Sequence, residues 1–219
     1  MNIISEEKLK LFSERSNEYL SNSPFPNIYF KDFFNSDFLK DVLNEFPDLS
    51  KRNETVKFKD VNQLKNTSVG EELLGSKTKV LIHYLHSEPF LNFLTSLTGI
   101  KNLLPDPTLN GGGYHQIKSG GFLKIHADFN KHPKYNLDRR LNLLIYLNKN
   151  WDESYGGSFE LWDNEMRNCI KKIPPNFNNV AIFSTTSDSY HGHPNPLKCP
   201  SDRTRKSIAL YYYTNGRPE

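Results

Sequence analysis

Residues 140–148 read Arg-Leu-Asn-Leu-Leu-Ile-Tyr-Leu-Asn. Extended, this segment places Leu141, Leu143, Ile145 and Leu147 on one face and Asn142, Leu144, Tyr146 and Asn148 on the other. The strict period of two predicts a strand, and similar short segments lie on both sides of it. Upstream, Gly111-Gly112-Gly113 opens a strand and Gly120-Gly121 interrupts before Phe122-Leu123-Lys124-Ile125-His126. Downstream, Gly156-Gly157 turns into Ser158-Phe159-Glu160-Leu161-Trp162, followed by strands at Val180 to Ser184 and Ser207 to Tyr213. Short strands separated by Gly-rich turns predict a sandwich or double-sheet jelly roll.

Before about residue 108 the pattern is mainly helical. Leu9, Phe12, Tyr19 and Leu20 form a helix-period stripe after Ser5, which Pro24-Phe25-Pro26 breaks. Ile28-Tyr29-Phe30 is a short extended segment. Asn35 or Ser36 then caps a helix that turns Phe38, Leu39, Val42, Leu43 and Phe46 inward. Leu49 to Asn66 has no strong period and reads as loop or mobile edge. Two more helices carry Leu73, Leu74, Val80, Leu81 and Tyr84, then Phe90, Leu91, Phe93, Leu94 and Leu97, ending at Gly99. The expected fold class is mainly β with N-terminal helices (α+β), a jelly roll flanked by packed helices. Residues 1–219 form one domain, with 1–107 as helical support and 108–215 as the jelly-roll core. A helical bundle with a β extension is the competing architecture.

A chain of 219 residues buries roughly 70% of its unfolded surface. With 28 Lys and Arg against 25 Asp and Glu, a net charge of +3 is too weak and too mixed to suggest a nucleic-acid partner. Cys169 and Cys199 lack CxxC spacing and predict free thiols in a reducing compartment, with a single disulfide between them as the alternative. The first eight residues become acidic where a signal peptide would be apolar, and no apolar run approaches membrane-spanning length. A soluble, cytoplasmic protein without a membrane partner is expected. Nothing in the sequence sets an oligomeric state.

The chemistry-bearing residues are His126-Ala127-Asp128, His191 and Arg205-Lys206-Ser207. On a strand, His126 and Asp128 share a face, and the 65 residues to His191 let the chain return on an opposing sheet. Two imidazoles and one carboxylate form a facial ligand set that suits Fe(II) and leaves positions open for reactants. His193 competes with His191, which is preferred because it directly follows the segment Ala181 to Ser189, whereas His193 lies deeper in a Pro-rich loop. HxD alone is common by chance, and Asp128 would equally well open a polar loop. Arg205 and Ser207 also share a face, and a planar guanidinium beside a hydroxyl suits a carboxylate.

From about Gly113 to Thr214 the chain resembles the Fe(II)- and 2-oxoglutarate-dependent dioxygenases of the prolyl hydroxylase branch. Gly120-Gly121-Phe122-Leu123-Lys124-Ile125-His126-Ala127-Asp128, the run Leu143 to Trp151, Gly156-Gly157, His191 and Arg205-Lys206-Ser207 carry the resemblance. It implies a double-stranded β-helix using Fe(II), 2-oxoglutarate and O2, with ascorbate as an optional reductant. It further implies His126, Asp128 and His191 as metal ligands and Arg205 as the partner of the cosubstrate's distal carboxylate. Tyr146 would meet the same carboxylate, with Ser207 as a second contact. Gln116 stands near the position of another cosubstrate-binding tyrosine, with His115 beside it as the alternative. The implied activity is hydroxylation of a C–H bond in a peptide, with prolyl favoured, or in a small molecule, yielding succinate and CO2.

Substrate-recognition candidates are Asn130, His132 and Tyr135 in the loop Phe129 to Asp138, with Arg139, Arg140, Trp151, Trp162 and the segment Pro194 to Asp202. Each has an ordinary surface or packing role as its alternative. Besides a nucleic-acid dealkylase, which would share the iron site but is opposed by the +3 charge and the lack of a continuous basic stripe, two other function classes compete. One is a non-catalytic jelly roll that binds a carbohydrate or protein partner. The other is a zinc hydrolase, for which no nearby glutamate is placed as base and Arg205 has no use.

Overall fold

The computed structural model describes residues 2–217. Its helices are α1 (Glu6–Ser13), α2 (Ser16–Ser21), α3 (Ser36–Asn44), α4 (Ser76–Leu85) and α5 (Glu88–Thr98). The strands of the first half are β1 (Asn27–Phe30), β2 (Thr55–Lys59), β3 (Leu64–Ser68), β4 (Leu104–Pro105), β5 (Gly113–Lys118) and β6 (Leu123–His126). The remainder are β7 (Asp138–Tyr146), β8 (Phe159–Trp162), β9 (Cys169–Ile173), β10 (Val180–Ser184), β11 (His191–His193) and β12 (Thr204–Thr214). They form a large antiparallel sheet in the order β1-β10-β7-β12-β5-β3-β2, with β4 on β12, and a smaller one in the order β6-β11-β8-β9. The architecture is the jelly roll with flanking helices that the strand pattern predicts.

The alternation of β7 follows from a different core on each of its faces. Leu141, Leu143, Ile145 and Leu147 join the cluster beneath the helices, with Phe33, Leu39, Leu81, Phe90 and Leu94. On the other face, Tyr146 packs with Phe159, Leu161 and Phe183 between the sheets. Truncating a fully buried leucine such as Leu143 to alanine costs about 2–5 kcal/mol.

Two readings of the first hundred residues change, and one alternative is resolved. The single N-terminal helix is two, because Glu14 and Arg15 interrupt it, and Leu20 faces solvent while Leu9, Phe12 and Tyr19 are buried. Asn35 is the helix cap, its Oδ1 accepting from the backbone of Asp37 and Phe38 at 3.0 Å. The segment read as loop or edge contains the hairpin β2–β3, which extends the large sheet through Asn66 opposite Gln116 and Thr67 opposite His115. This edge pairing is made by backbone groups and needs no apolar side-chain period. The nominally helical part therefore supplies four strands, β1 to β4, to the large sheet. Among the described residues, no helix is long and apolar enough to cross a membrane.

Helix α4 is capped from elsewhere in the chain. Its N-cap, Gly75, has no side chain to accept from the first turn, and Glu45 takes that role. The Glu45 carboxylate accepts from Lys77 N at 2.9 Å and Thr78 N at 3.0 Å, joining the end of α3 to the start of α4. Glu45→Ala is expected to lower unfolding stability by about 1 kcal/mol, the usual cost of a lost helix cap. Chemical denaturation checks this, and an unchanged midpoint and slope would remove the cap from the account.

Candidate active site

A cavity between the sheets is lined by His126, Asp128, His191, His193, Arg139, Asn142, Arg205 and Ser207, among others. His126 ends β6 and lies directly opposite His191 on β11. Their ring centroids are 4.6 Å apart. Asp128 lies just beyond β6 and still enters the same cavity. One ligand atom from each of His126, Asp128 and His191 lies within 4.8 Å of the others. Gly192 permits the close strand approach, because a Cβ there would strike the carbonyl oxygens of Leu123 and Lys124.

Each histidine is held in the tautomer a metal requires. His126 Nδ1 lies 2.8 Å from Lys124 O, and His191 Nδ1 lies 2.9 Å from Ser189 O. A carbonyl can only accept, so both Nδ1 atoms carry hydrogen and both Nε2 lone pairs are free. Those Nε2 atoms face Asp128, at 3.6 Å from Oδ1 for His126 and 3.4 Å from Oδ2 for His191. Burial lowers the pKa of His191 to about 4, keeping its imidazole neutral. Burial also works against the Asp128 carboxylate, but the charge of the Arg139 guanidinium outweighs it and holds its pKa well below the ordinary value.

Arg139 and Asn142 support this carboxylate. Asn142 Nδ2 donates to Asp128 Oδ2 at 2.6 Å, and Arg139 Nη2 lies 3.1 Å from the same oxygen. Arg139 Nε also donates to Asn142 Oδ1 at 2.9 Å. The guanidinium is 1% exposed and lies against the Tyr211 ring, 3.5 Å from its centroid, with Phe129 at 4.5 Å. Simple alternation along β7 would put Arg139 and Asn142 on opposite faces. The register shift intervenes, with Tyr212 opposite Leu141 and Tyr213 opposite Arg139, so Arg140 is the extra residue of a bulge. The bulge turns Arg139 into the cavity.

Arg205 enters from β12 and is 5% exposed. Its Nε donates to Gly157 O at 2.8 Å, an approach that requires glycine, since a Cβ at Gly157 would meet Arg205 and Leu197. The guanidinium carbon lies 5.2 Å from the Tyr146 ring centroid. Ser207 lies opposite Tyr146 on the neighbouring strand and also lines the cavity. The Tyr146 hydroxyl and both ring nitrogens of His193 are buried without hydrogen-bond partners. Leaving such groups unpaired costs about 1–3 kcal/mol each, so this end of the cavity suits a polar, anionic ligand. The donor set fits an iron ion and a diacid: two free Nε2 lone pairs and a carboxylate at one end, a buried guanidinium at the other.

Some sequence-predicted contacts lie elsewhere. Gln116 shares the β5 face of Tyr114, outside the cavity lining, and its amide donates to Thr204 Oγ1 at 3.3 Å. Strand alternation thus turns Gln116 away from the cavity and His115 toward it. His115, one residue away, does line the cavity, with its Nε2 3.0 Å from Gly111 O. His193 is part of β11 and not of a Pro-rich loop, though it lies outside the three-residue ligand cluster. Trp162 donates to Glu160 at 3.0 Å and Trp151 to Gly156 O at 2.9 Å, both away from the cavity. Arg140 Nη1 donates to Thr214 Oγ1 at 3.1 Å, also away from it. His132 is buried, with Nδ1 accepting from the backbone of Lys134 and Tyr135. Lys65 also lines the cavity, and its place there, like those of Asn142 and His193 and the pairing of Arg139 with Asp128, is not evident from the sequence pattern. For Asn142 the available signal was a polar residue on an inner strand face.

Residues 112–213 match the family model of the 2OG-Fe(II) oxygenase superfamily. Prolyl 3-hydroxylase OGFOD1 of Xenopus laevis is 29% identical over 181 residues, covering 78% of this chain and 32% of that protein. The Mus musculus protein of the same name is 25% identical over 202 residues, covering 89% and 34%. The chain therefore spans about a third of the length of these relatives. Among solved structures, a Trichoplax adhaerens prolyl hydroxylase in complex with a hypoxia inducible factor peptide fragment has a TM-score of 0.68 at 19% identity, covering 96% of this chain and 94% of that one. A Pseudomonas putida prolyl-4-hydroxylase has a TM-score of 0.65 at 10% identity, covering 93% and 99%.

Asn142→Leu removes the neutral donor to Asp128 while leaving every proposed metal ligand in place. Loss of such a support is expected to weaken Mn(II) or Fe(II) binding by about 10–100-fold. Titration of the metal-free protein followed by electron paramagnetic resonance measures this, and an unchanged affinity would show that Asn142 does not hold Asp128 for the metal.

Proposed function

We propose that this chain, a prolyl hydroxylase-like member of the 2OG-Fe(II) oxygenase superfamily across residues 112–213, hydroxylates a C–H bond of its substrate. The observation that carries this reading is the convergence of His126, Asp128 and His191 in one cavity with buried Arg205. When bound, Fe(II) and 2-oxoglutarate supply the chemistry that inserts one oxygen atom of O2 into the substrate and yields succinate and CO2. His126 Nε2, His191 Nε2 and the Asp128 carboxylate would hold the iron. Arg205 would hold the distal carboxylate, with Tyr146, Ser207 and His193 offering further hydrogen bonds.

The protein's part is orientation and the exclusion of water. Lys124 O and Ser189 O keep the two Nε2 lone pairs directed at Asp128. Arg139 and Asn142 keep the aspartate ionised and fix its rotamer. Phe159 and Phe183 pack on the His191 ring at 5.4 and 4.8 Å, shielding that side of the site. The helical layer and the two sheets act together as one unit, because the face of β7 opposite the site is anchored in the helix-side core.

A peptidyl proline is the favoured substrate, by analogy with the relatives named prolyl hydroxylases. The unpaired thiols of Cys169 and Cys199 support a reducing, cytoplasmic setting.

The test is anaerobic addition of Fe(II) and 2-oxoglutarate, followed by turnover against prolyl peptides and small metabolites. A weak visible charge-transfer band should appear, with succinate and a gain of one oxygen by mass spectrometry once a substrate is found. Asp128→Ala should abolish the band and turnover. Arg205→Met should weaken 2-oxoglutarate binding by roughly 100-fold, the scale of losing one partner of a buried charge pair. Absence of the band in the folded wild type would favour a non-catalytic binding module.

A further inference from the structure

Lys65 has no role in the proposed chemistry, yet its side chain lines the same cavity as His126, Asp128 and Arg205. It comes from β3, the hairpin strand that extends the large sheet beside β5. No carboxylate lies within ion-pair distance of its ammonium among the described residues. Its ammonium lies over the Phe58 ring, 5.2 Å from the centroid. Burial, before any other influence, lowers the pKa of Lys65 to about 8, while Asp128 opposes that shift.

A charge balance indicates what the ammonium faces. Lys65, Arg139 and Arg205 stand against Asp128 alone, so the cavity wall has a surplus of two positive charges. Arg139 is paired with Asp128. A divalent ion and a dianionic diacid cancel each other, so loading both leaves the surplus unchanged. Arg205 would then be satisfied by the diacid, while Lys65 would remain without a counter-ion in a partly desolvated wall, where an unpaired charge is costly. Such a wall attracts a further anion.

We infer that the substrate carries an anionic group, a carboxylate or a phosphate ester, which pairs with Lys65 while the adjoining carbon faces the metal. This rests on the proposed oxygenase reading and narrows its substrate to an acidic peptide or acidic metabolite. It gives Lys65 a specificity-determining role distinct from holding the cosubstrate.

The experiment is a two-stage calorimetric titration of the full chain loaded with Mn(II). The first stage adds 2-oxoglutarate; the second, at saturating 2-oxoglutarate, adds acetate or sulfate as the probe. Acetate stands for a carboxylate and sulfate for a phosphate ester, so the stronger binder distinguishes the two sources. Wild type should bind at least one probe saturably. Lys65→Met should weaken that binding tenfold or more with less than a twofold change in 2-oxoglutarate affinity, and Lys65→Arg should restore it. If 2-oxoglutarate fails to bind in the first stage, the oxygenase reading fails and this inference with it. Three outcomes overturn the inference alone: neither probe binds the loaded wild type, Lys65→Met binds the probe as well as wild type, or Lys65→Met loses 2-oxoglutarate affinity tenfold.

Discussion

The Asp128 carboxylate, held by Asn142 and Arg139, is the interaction on which the rest of the site depends. A carboxylate set between the sheets would ordinarily favour its protonated form, because burial penalises the charge. Here a neutral amide donor at 2.6 Å and a guanidinium at 3.1 Å reach the same oxygen and reverse that preference. The Arg139 cation is itself supported by the faces of Tyr211 and Phe129, whose π-systems favour a cation more strongly where water is excluded. This arrangement leaves an ionised ligand between two correctly oriented Nε2 atoms.

The β7 strand connects this local chemistry to the fold. Its outer leucines and isoleucine bind the sheet to the helical layer, while its inner positions carry Asn142 and Tyr146 toward the site. The bulge at Arg140 adds Arg139 to the inner group without shifting the register of the apolar positions beyond it. A regular strand would leave the cation on the helix side, where a core of Phe and Leu offers no counter-ion. The irregularity thus has a clear electrostatic consequence.

Much of this was legible in the sequence, and the exceptions have physical causes. Alternation along residues 140–148 exposed the strand because each face meets a different apolar core. The spacing of His126 and Asp128, with His191 and Arg205 downstream, singled out the residues that the fold brings to one cavity. Arg139 was legible only as a substrate-recognition candidate, and its place beside Asp128 was hidden because a bulge reverses side-chain direction without a marker in the residue types. The β2–β3 hairpin was hidden because an edge strand held by backbone pairing needs no apolar period, and Lys65 was lost with it. Gln116 was misplaced by one residue, which on a strand moves a side chain to the opposite face. His193 was discounted because the adjoining prolines suggested a loop, whereas β11 continues through it.

The cavity combines a pole for a cation with a pole for an anion, and most of its lining comes from residues 112–213, the segment that matches the 2OG-Fe(II) oxygenase superfamily model. The central claim concerns the ligand set. Anomalous diffraction at the iron edge, from crystals of the protein loaded anaerobically with Fe(II) and 2-oxoglutarate, tests it most directly. One dominant peak is expected, within bonding distance of His126 Nε2, His191 Nε2 and the Asp128 carboxylate. Iron coordinated through His193 in place of His191, or bound outside the inter-sheet cavity, would contradict it.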